Sequence, residues 1–254
     1  MSPLRTALSL FTVLPVAGPV EVRRVDAKRA VLCLPVVGVL LAAGSAAVLV
    51  GVRVAVDGTP GRLLAGLLAV GLLAVATGAL HLDGLADTAD GLGSRRPASD
   101  ALAIMRRSDI GPMGVVALGF ALACQVVALA AVPIWWAAAA LCASAVAARV
   151  GVVLATGAPG ARTDGFGALV TGAVPRVVRY AYAVAVVALA ALPGIFGAVA
   201  LGWRLAVAAS AGLLAGALLR AYAVRRLGGV TGDVYGAVVE TVSTTTLVTL
   251  ALLS

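Results

Sequence analysis

Residues 63–91 read LLAGLLAVGLLAVATGALHLDGLADTADG, an apolar run followed by three carboxylates within eight residues. The apolar part has the length of a membrane-crossing helix, which takes about 20 residues. If the next segment is also helical, Asp83, Asp87 and Asp90 lie at positions i, i+4 and i+7 and share one face. The stretch therefore predicts a transmembrane helix that leads into carboxylates at the edge of the bilayer.

Composition extends this prediction to the whole chain. Of its 254 residues, 62% are hydrophobic, whereas soluble domains have roughly 45–50% apolar residues. We predict an all-α, polytopic membrane helix bundle with six to seven transmembrane helices, formed by residues 1–254 as a single integral membrane domain. The segments with a suitable length and composition are about 30–56, 62–80, 113–132, 135–156, 177–192, 203–224 and 235–253.

The N-terminal segment, residues 1–17, is apolar but too short to span a bilayer. We expect it to be interfacial or re-entrant. It lacks a basic region followed by a small-residue cleavage site, so we expect no cleavable signal peptide. Cys33, Cys124 and Cys142 lie in apolar runs without a CxxC motif, and we expect them to be core residues without disulfides.

The basic residues predict the orientation of the bundle in the membrane. With seven spans and a cytoplasmic N-terminus, 16 of the 19 Lys and Arg residues lie on the cytoplasmic side, and only Arg53, Arg62 and Arg204 do not. The same topology places every segment with clustered carboxylates on that side. Because the basic residues are scattered among the spans, we expect contacts with the lipid membrane and no nucleic acid partner.

Carboxylates stacked on one helix face repel each other, and a divalent cation between them would remove the repulsion. Oxygen ligands suit Mg²⁺, Mn²⁺ or Ca²⁺; the alternative is a solvated acidic loop. Carboxylates with interspersed arginines indicate a reaction on a phosphate or diphosphate, since a metal neutralises its charge and arginines hold its oxygens. The membrane setting suggests that one substrate is hydrophobic or bulky.

Two other functions are compatible with parts of this pattern. The Asp-Gly-x-x-x-Asp-x-x-Asp spacing at residues 83–90 is similar to a loose form of the CDP-alcohol phosphotransferase signature. Its Ala-Arg element and its later Gly-x-x-x-Asp-x-x-x-Asp are missing here. A cation-coupled transporter would place carboxylates near mid-span, whereas these cluster at one face.

Residues 81–91, HLDGLADTADG, resemble the signature of the cobalamin synthase family, the adenosylcobinamide-GDP ribazoletransferases. The resemblance covers nearly the whole chain. Its further elements follow in order at Phe11–Val16, Pro35–Gly38, Ile104–Gly111, Asp164–Gly167 and Thr231–Glu240. The departures are Val13 in place of an arginine, an exchange of charges between Arg107 and Asp109, and Ser243 near the position of a carboxylate.

The resemblance implies a transferase of the last steps of cobalamin biosynthesis. In it, the 3′-hydroxyl of α-ribazole, or of its 5′-phosphate, attacks the corrinoid-side phosphorus of adenosylcobinamide-GDP. GMP leaves, and adenosylcobalamin or its 5′-phosphate forms. The implied cofactor is Mg²⁺, and the implied location is the inner (cytoplasmic) membrane. Formation of a homo-oligomer and association with other corrinoid-assembly enzymes are both compatible with the sequence.

The resemblance also assigns roles to the polar residues. It implies Asp83, Asp87 and Asp90 as Mg²⁺ ligands, with Asp90 as the candidate base and Asp233 and Glu240 as further ligands. The alternative role of Asp164, Asp233 and Glu240 is to form ion pairs with arginines. The alternative role of Arg106 and Arg107 is to contact lipid headgroups. His81 is a candidate base or phosphate contact, with a helix-end role as the alternative. The candidates for substrate binding are Arg106, Arg107, Ser108, Asp109, Arg149, Arg162, Asp164, Thr231 and Gly232.

Overall fold

The computed structural model describes residues 2–254, which form eleven α-helices and no strand. They are α1 (Pro3–Phe11), α2 (Arg24–Ala55), α3 (Gly58–Ala76), α4 (Leu80–Gly93), α5 (Ala98–Ile104), α6 (Pro112–Ala131), α7 (Ile134–Ala155), α8 (Gly165–Val170), α9 (Arg176–Ile195), α10 (Val199–Leu227) and α11 (Gly232–Leu253). Seven are long and apolar enough to cross a membrane: α2, α3, α6, α7, α9, α10 and α11. The predicted polytopic helix bundle is confirmed, and the three cysteines are free, as expected.

Helices α7 and α11 lie at the centre of the bundle. Helix α7 packs against α2, α9, α10 and α11, and α11 also contacts α4, α6 and α10. Glycines permit the close approach: a Cβ atom at Gly212 or Gly216 of α10 would clash with Val242 of α11, and one at Gly151 of α7 would press on the same side chain. In lipid, such close packing supplies much of the attraction between helices.

The second span ends earlier than the sequence indicates. Helix α3 stops at Ala76 rather than near Leu80, because Gly78 and Ala79 take left-handed φ angles of 59° and 57°. A right-handed helix cannot continue through two such residues. The backbone N–H of Val13 donates a 2.9 Å hydrogen bond to the carbonyl of Ala76 and satisfies the helix end. The carboxylate segment is therefore a separate helix, α4.

Two other boundaries differ from the sequence pattern. The sequence pattern predicts a short helix that carries residues 104–109 and ends at Gly111-Pro112, but α5 ends at Ile104 and residues 106–109 form a loop. Pro112 disfavours a helical conformation at Gly111 and instead opens α6. The glycine-rich composition of the segment 157–176 predicts a loop between two spans, but this segment contains the short helix α8.

Four short helices lie at one end of the bundle. Helices α2, α6, α9 and α11 begin at this end, and α3, α7 and α10 finish there. The chain segments between them contribute α1, α4, α5 and α8, with α1 packed on α2, α4 on α6 and α11, and α8 on α2. The polar residues of these segments are therefore collected at one edge of the bundle.

Candidate active site

Helices α4 and α11 approach each other closely in this region. A Cβ atom at Gly84 would clash with the carbonyl oxygen of Asp233, and one at Gly236 would lie about 3.1 Å from the carbonyl oxygen of His81. Gly84 needs to be glycine and Gly236 leaves little room for a side chain, because the two helices meet backbone to backbone. This contact brings Asp83 of α4 beside Asp233 of α11.

Asp83, Asp87 and Asp233 form an acidic cluster. Asp87 is half-buried, and its pKa is raised to about 6, first by burial and then by the negative charges of nearby carboxylates. Those carboxylates, in decreasing order of effect, are Asp83, Asp233 and Asp90. Uncompensated negative charge at this edge is what a cation would neutralise.

Asp233 is the one member of the acidic cluster with polar partners among residues 2–254. Its Oδ2 accepts hydrogen bonds from the Thr231 hydroxyl (3.1 Å) and from Arg162 Nη1 (3.4 Å). Arg162 also donates through Nη2 to the Leu102 carbonyl at 2.9 Å, and Thr231 caps α11 by accepting from the Val234 N–H. These contacts hold Asp233 in position, whereas Asp83 and Asp87 are left free.

Asp90 lies on the same helix but has a different environment. Its Oδ2 accepts from the Gly111 N–H at 2.7 Å and its Oδ1 from the Gly114 N–H at 2.9 Å. These are the unpaired backbone donors at the start of α6, where negative charge is stabilised by the helix dipole. The structure thus places Asp90 as a cap of α6, with both oxygens already bonded.

Glu240 lies apart from the acidic cluster. It is seven residues beyond Asp233 on α11, which is about 10 Å along the helix axis. Its Oε2 accepts from Gln125 Nε2 at 2.9 Å, and the same amide nitrogen lies 3.0 Å from the Thr244 hydroxyl. It lines a small core cavity of about 30 Å³ together with Arg149 and Ser144. The structure therefore gives Glu240 an environment inside the bundle.

The donor set of the acidic cluster fits a magnesium ion that binds together with its substrate. Across residues 2–254, no three His, Cys, Asp or Glu side chains form a ready-made metal cage. Mg²⁺ seldom uses such cages; it is usually held by one or two carboxylates, water and substrate phosphates. Asp83 and Asp87 provide two neighbouring carboxylates that accept no hydrogen bond within the described chain.

His81 and Arg149 are buried behind the acidic cluster. Burial and the positive charge of Arg149 lower the pKa of His81 to about 3, so the imidazole is neutral near pH 7 and a weak base. Arg149 Nη1 makes a long hydrogen bond of 3.4 Å to the Ala145 carbonyl. No carboxylate of the described chain lies within 4.0 Å of its guanidinium, which leaves it available to a ligand.

Two cavities open beside the acidic cluster. The deep cavity, about 260 Å³, lies between α1, α2, α4, α7, α8 and α11 and is lined by Asp83, Asp233, His81 and Arg149 together with apolar side chains. The outer cleft, about 240 Å³, lies between α4, the end of α5 and the start of α6 and contains Asp87, Asp90, Arg107 and Asp109. The acidic cluster contributes to both spaces.

The remaining predicted site residues are near the surface. Arg106 Nη2 donates to both carboxylate oxygens of Asp164, at 3.0 and 3.1 Å, in an exposed ion pair. Ser108 is exposed in the α5–α6 loop, and Gly232 is exposed at the start of α11. Asp164 and Asp233 thus pair with arginines, as the alternative interpretation of the sequence proposed.

A known protein family matches this chain over nearly its whole length. The family model described as cobalamin-5-phosphate synthase matches residues 3–251. The chain belongs to the cobalamin-5-phosphate synthase family. This membership decides between the three functions considered from the sequence, and it excludes the CDP-alcohol phosphotransferase and transporter alternatives.

Individual members of the cobalamin-5-phosphate synthase family are similar over nearly their full length. A protein of Frankia casuarinae is 39% identical, with 99% of this chain and 95% of the relative aligned. Relatives from Bradyrhizobium diazoefficiens and Nocardioides sp. are each 40% identical, over 95% and 96% of this chain and 90% and 95% of their own lengths. All three are named adenosylcobinamide-GDP ribazoletransferase. No solved structure gives a significant match.

The structure accounts for two departures from the family pattern. Val13 acts through its backbone N–H on Ala76, a contact that any residue except proline can make. Arg107 and Asp109 line the same outer cleft, so exchanging their charges keeps both charges in one place. Ser243 lines the core cavity near Glu240, and nothing in the structure explains the loss of a carboxylate there.

Sequence reasoning missed several residues of this region. Gln125 and Ser144 are isolated polar residues in apolar spans, and that isolation was a usable signal of buried polar contacts. Phe11, Leu34 and Phe166 line the deep cavity. Phe11 and Phe166 lie in two elements of the family resemblance, but nothing in the sequence gave these three residues a role, because apolar residues are unremarkable in a membrane protein and only tertiary packing brings them together.

Proposed function

We propose that this member of the cobalamin-5-phosphate synthase family transfers the corrinoid phosphoryl group of adenosylcobinamide-GDP to α-ribazole or its 5′-phosphate. The 3′-oxygen of the acceptor forms a bond to the corrinoid-side phosphorus, the bond from that phosphorus to the bridging diphosphate oxygen breaks, and GMP leaves. The end-to-end family match carries this proposal. The acidic cluster supports it, because diphosphate chemistry needs charge neutralisation.

We assign the metal-binding role to Asp83 and Asp87, with Asp233 beside them. Magnesium, when bound, would neutralise the diphosphate charge and make the phosphorus more electrophilic. Asp83 lines the deep cavity and accepts no hydrogen bond from the described chain, so it is placed to take the proton of the attacking hydroxyl. Asp90 is left out of this set because the α6 backbone occupies both its oxygens.

The basic residues of the site orient the substrates. Arg107 lies in the outer cleft beside Asp87, where it can hold diphosphate oxygens that a carboxylate alone would repel. Arg149 supplies positive charge to the deep cavity. Arg106 and Arg162 act indirectly, because they already bind Asp164 and Asp233.

We place the site on the cytoplasmic face of the inner membrane. The excess of arginine in the loops at this end supports the orientation. A site at the membrane edge also suits substrates that differ greatly in size and polarity, since a bulky corrinoid can bind without entering the bundle.

The test uses the full chain in detergent with adenosylcobinamide-GDP, α-ribazole and Mg²⁺, with GMP release as the measurement. We expect turnover by the wild type and a loss of at least about a hundredfold in Asp87→Asn, because the diphosphate charge is no longer neutralised. Asp100→Asn is the matched control, since Asp100 is an exposed carboxylate of α5, and it should retain activity.

Removal of the metal gives a second test of the same assignment. EDTA should stop GMP release, and added Mg²⁺ should restore it. Mn²⁺ binding, followed by electron paramagnetic resonance in the presence of the diphosphate substrate, should weaken in Asp83→Asn and Asp87→Asn. Wild-type activity in EDTA, or unchanged Mn²⁺ binding in both variants, would remove the metal from the proposal.

A further inference from the structure

We propose that the deep cavity is the binding site of the nucleoside acceptor, and that the corrinoid substrate stays outside it in the outer cleft. This assignment rests on the proposed function and divides its two substrates between two spaces. The acceptor meant here is a nucleoside with a flat, apolar heteroaromatic base, with or without a 5′-phosphate.

Size favours this division. The deep cavity measures about 260 Å³, just below the roughly 300–1,000 Å³ that most small-molecule sites occupy. A nucleoside is of that order of size, whereas a corrin ring with its side chains and nucleotide is several times larger. The outer cleft is more open, so a large ligand can place its diphosphate there and project into solvent or along the bilayer surface.

The lining of the deep cavity contains both the apolar and the polar groups that a nucleoside requires. One group of lining residues is apolar, with Phe11, Leu34 and Phe166. The other group is polar and contains Asp83 and Asp233. An apolar base would bury its ring against the first group, while the ribose hydroxyls would reach the carboxylates. Arg149, also on the wall, would neutralise a 5′-phosphate.

Two aromatic rings define the apolar wall. Phe11 of α1 and Phe166 of α8 meet edge to face, with ring centroids 5.3 Å apart and an interplanar angle of 85°. Phe11 is buried although it belongs to a short N-terminal helix. Helix α1 therefore closes one side of the deep cavity, which gives this helix a role in substrate recognition in addition to its packing on α2.

The position of the acidic cluster completes the geometric argument. Asp83 and Asp233 line the deep cavity, while Asp87, one turn further along α4, lines the outer cleft. An acceptor hydroxyl in the first space and a diphosphate in the second would meet at neighbouring carboxylates. This is the arrangement that attack of one substrate on the other requires.

The experiment fills the deep cavity at Gly232, the exposed first residue of α11, which lines this cavity and where an added Cβ atom would meet no other atom within 4 Å. Gly232→Val should raise the KM for α-ribazole and for its 5′-phosphate by at least about tenfold. The KM for adenosylcobinamide-GDP should stay within about twofold. Gly119→Val is the matched control, because Gly119 on α6 has the same free space and lies outside both cavities. Its two KM values should equal those of the wild type.

A second variant changes the same wall in the opposite direction. Phe166→Ala should weaken binding of α-ribazole alone, measured by calorimetry with the detergent-solubilised full chain, and should favour an acceptor with a larger base. Phe120→Ala, which removes an exposed ring of α6, should change neither property. This binding measurement does not depend on turnover.

The outcomes separate the subsite assignment from the function itself. Absence of GMP release by the wild type would end the proposed function. With GMP release intact, a rise in the KM for adenosylcobinamide-GDP and not for α-ribazole in Gly232→Val would overturn the subsite assignment. Unchanged α-ribazole binding in both Gly232→Val and Phe166→Ala would also overturn it.

Discussion

At the scale of single residues, the three aspartates of α4 have different partners although they share one sequence motif. Asp83 and Asp87 accept no hydrogen bond from the described chain, whereas Asp90 binds the Gly111 and Gly114 N–H groups. A Cβ atom at either glycine would overlap the Asp90 carboxylate. The motif therefore leaves its first two carboxylates free for the proposed chemistry and uses its third in a structural contact.

This difference predicts opposite effects of similar substitutions. Asp90→Asn should lower the free energy of unfolding by about 1.5–3 kcal/mol, because charge-assisted hydrogen bonds to the start of α6 are lost. Asp83→Asn should leave stability close to that of the wild type and remove turnover. Thermal unfolding in detergent, measured beside GMP release, checks both. An Asp90→Asn variant that is as stable as the wild type but fails to bind Mn²⁺ would contradict this assignment and identify Asp90 as a metal ligand.

At the scale of helices, the break between α3 and α4 sets where the carboxylates lie. Gly78 and Ala79 end the second span with left-handed backbone angles, and the Val13 N–H satisfies the Ala76 carbonyl. Helix α4 is then free to pack on α11 through Gly84 and Gly236. Without the break, the carboxylate face would follow the register of a transmembrane helix.

The break can be tested by a pair of glycine substitutions. Gly78→Ala should lower stability by roughly 1–2 kcal/mol, because an L-residue is strained at this positive φ, and its Cβ would also press on Val13. Gly71→Ala on α3 has free space around the new Cβ atom and should be neutral or stabilising by up to about 1 kcal/mol. Equal melting temperatures for the two variants would contradict the strain argument.

At the scale of the whole molecule, two of the three exceptions to the arginine distribution have structural contacts of their own. Arg53 donates to the Val132 and Ala130 carbonyls, at 2.9 and 3.1 Å, and so satisfies the end of α6. Arg204 lies 5.1 Å from the ring centroids of both Trp136 and Trp203, within range of cation–π attraction. These two arginines are explained by packing at the opposite end of the bundle, so they do not weaken the proposed orientation.

That orientation predicts the accessibility of single cysteines. In a variant with Cys33, Cys124 and Cys142 replaced by alanine, Ser99→Cys should react with a membrane-impermeant maleimide only from the cytoplasmic side. Thr59→Cys, at the start of α3, should react only from the other side. Both positions are exposed. Labelling of Ser99→Cys in intact cells, from outside the inner membrane, would reverse the orientation and the proposed location of the site.

The sequence by itself determined the class of fold, the number of spans to within one (six to seven, with seven in the structure) and the segment to which we assign the chemistry. Hydrophobic length and charge distribution act locally along the chain, so the seven apolar helices and the gathering of polar loops at one end followed from them. The eleven-residue motif from His81 to Gly91 was sufficient to suggest the family that the comparison then showed.

Only the tertiary structure decided which of the polar residues meet. The spacing on α4 grouped Asp90 with Asp83 and Asp87. In the structure, Asp90 accepts hydrogen bonds from the backbone of α6, and the contact between α4 and α11 places Asp233 beside Asp83 instead. The sequence placed Glu240 two helical turns inside the last span and also grouped it with the metal ligands, but those two turns separate it from Asp233, and it bonds to Gln125 in the core. Periodicity in the sequence specifies which residues share one face of a helix. Which other helix packs against that face depends on contacts between distant segments of the chain, and no local sequence pattern encodes those contacts.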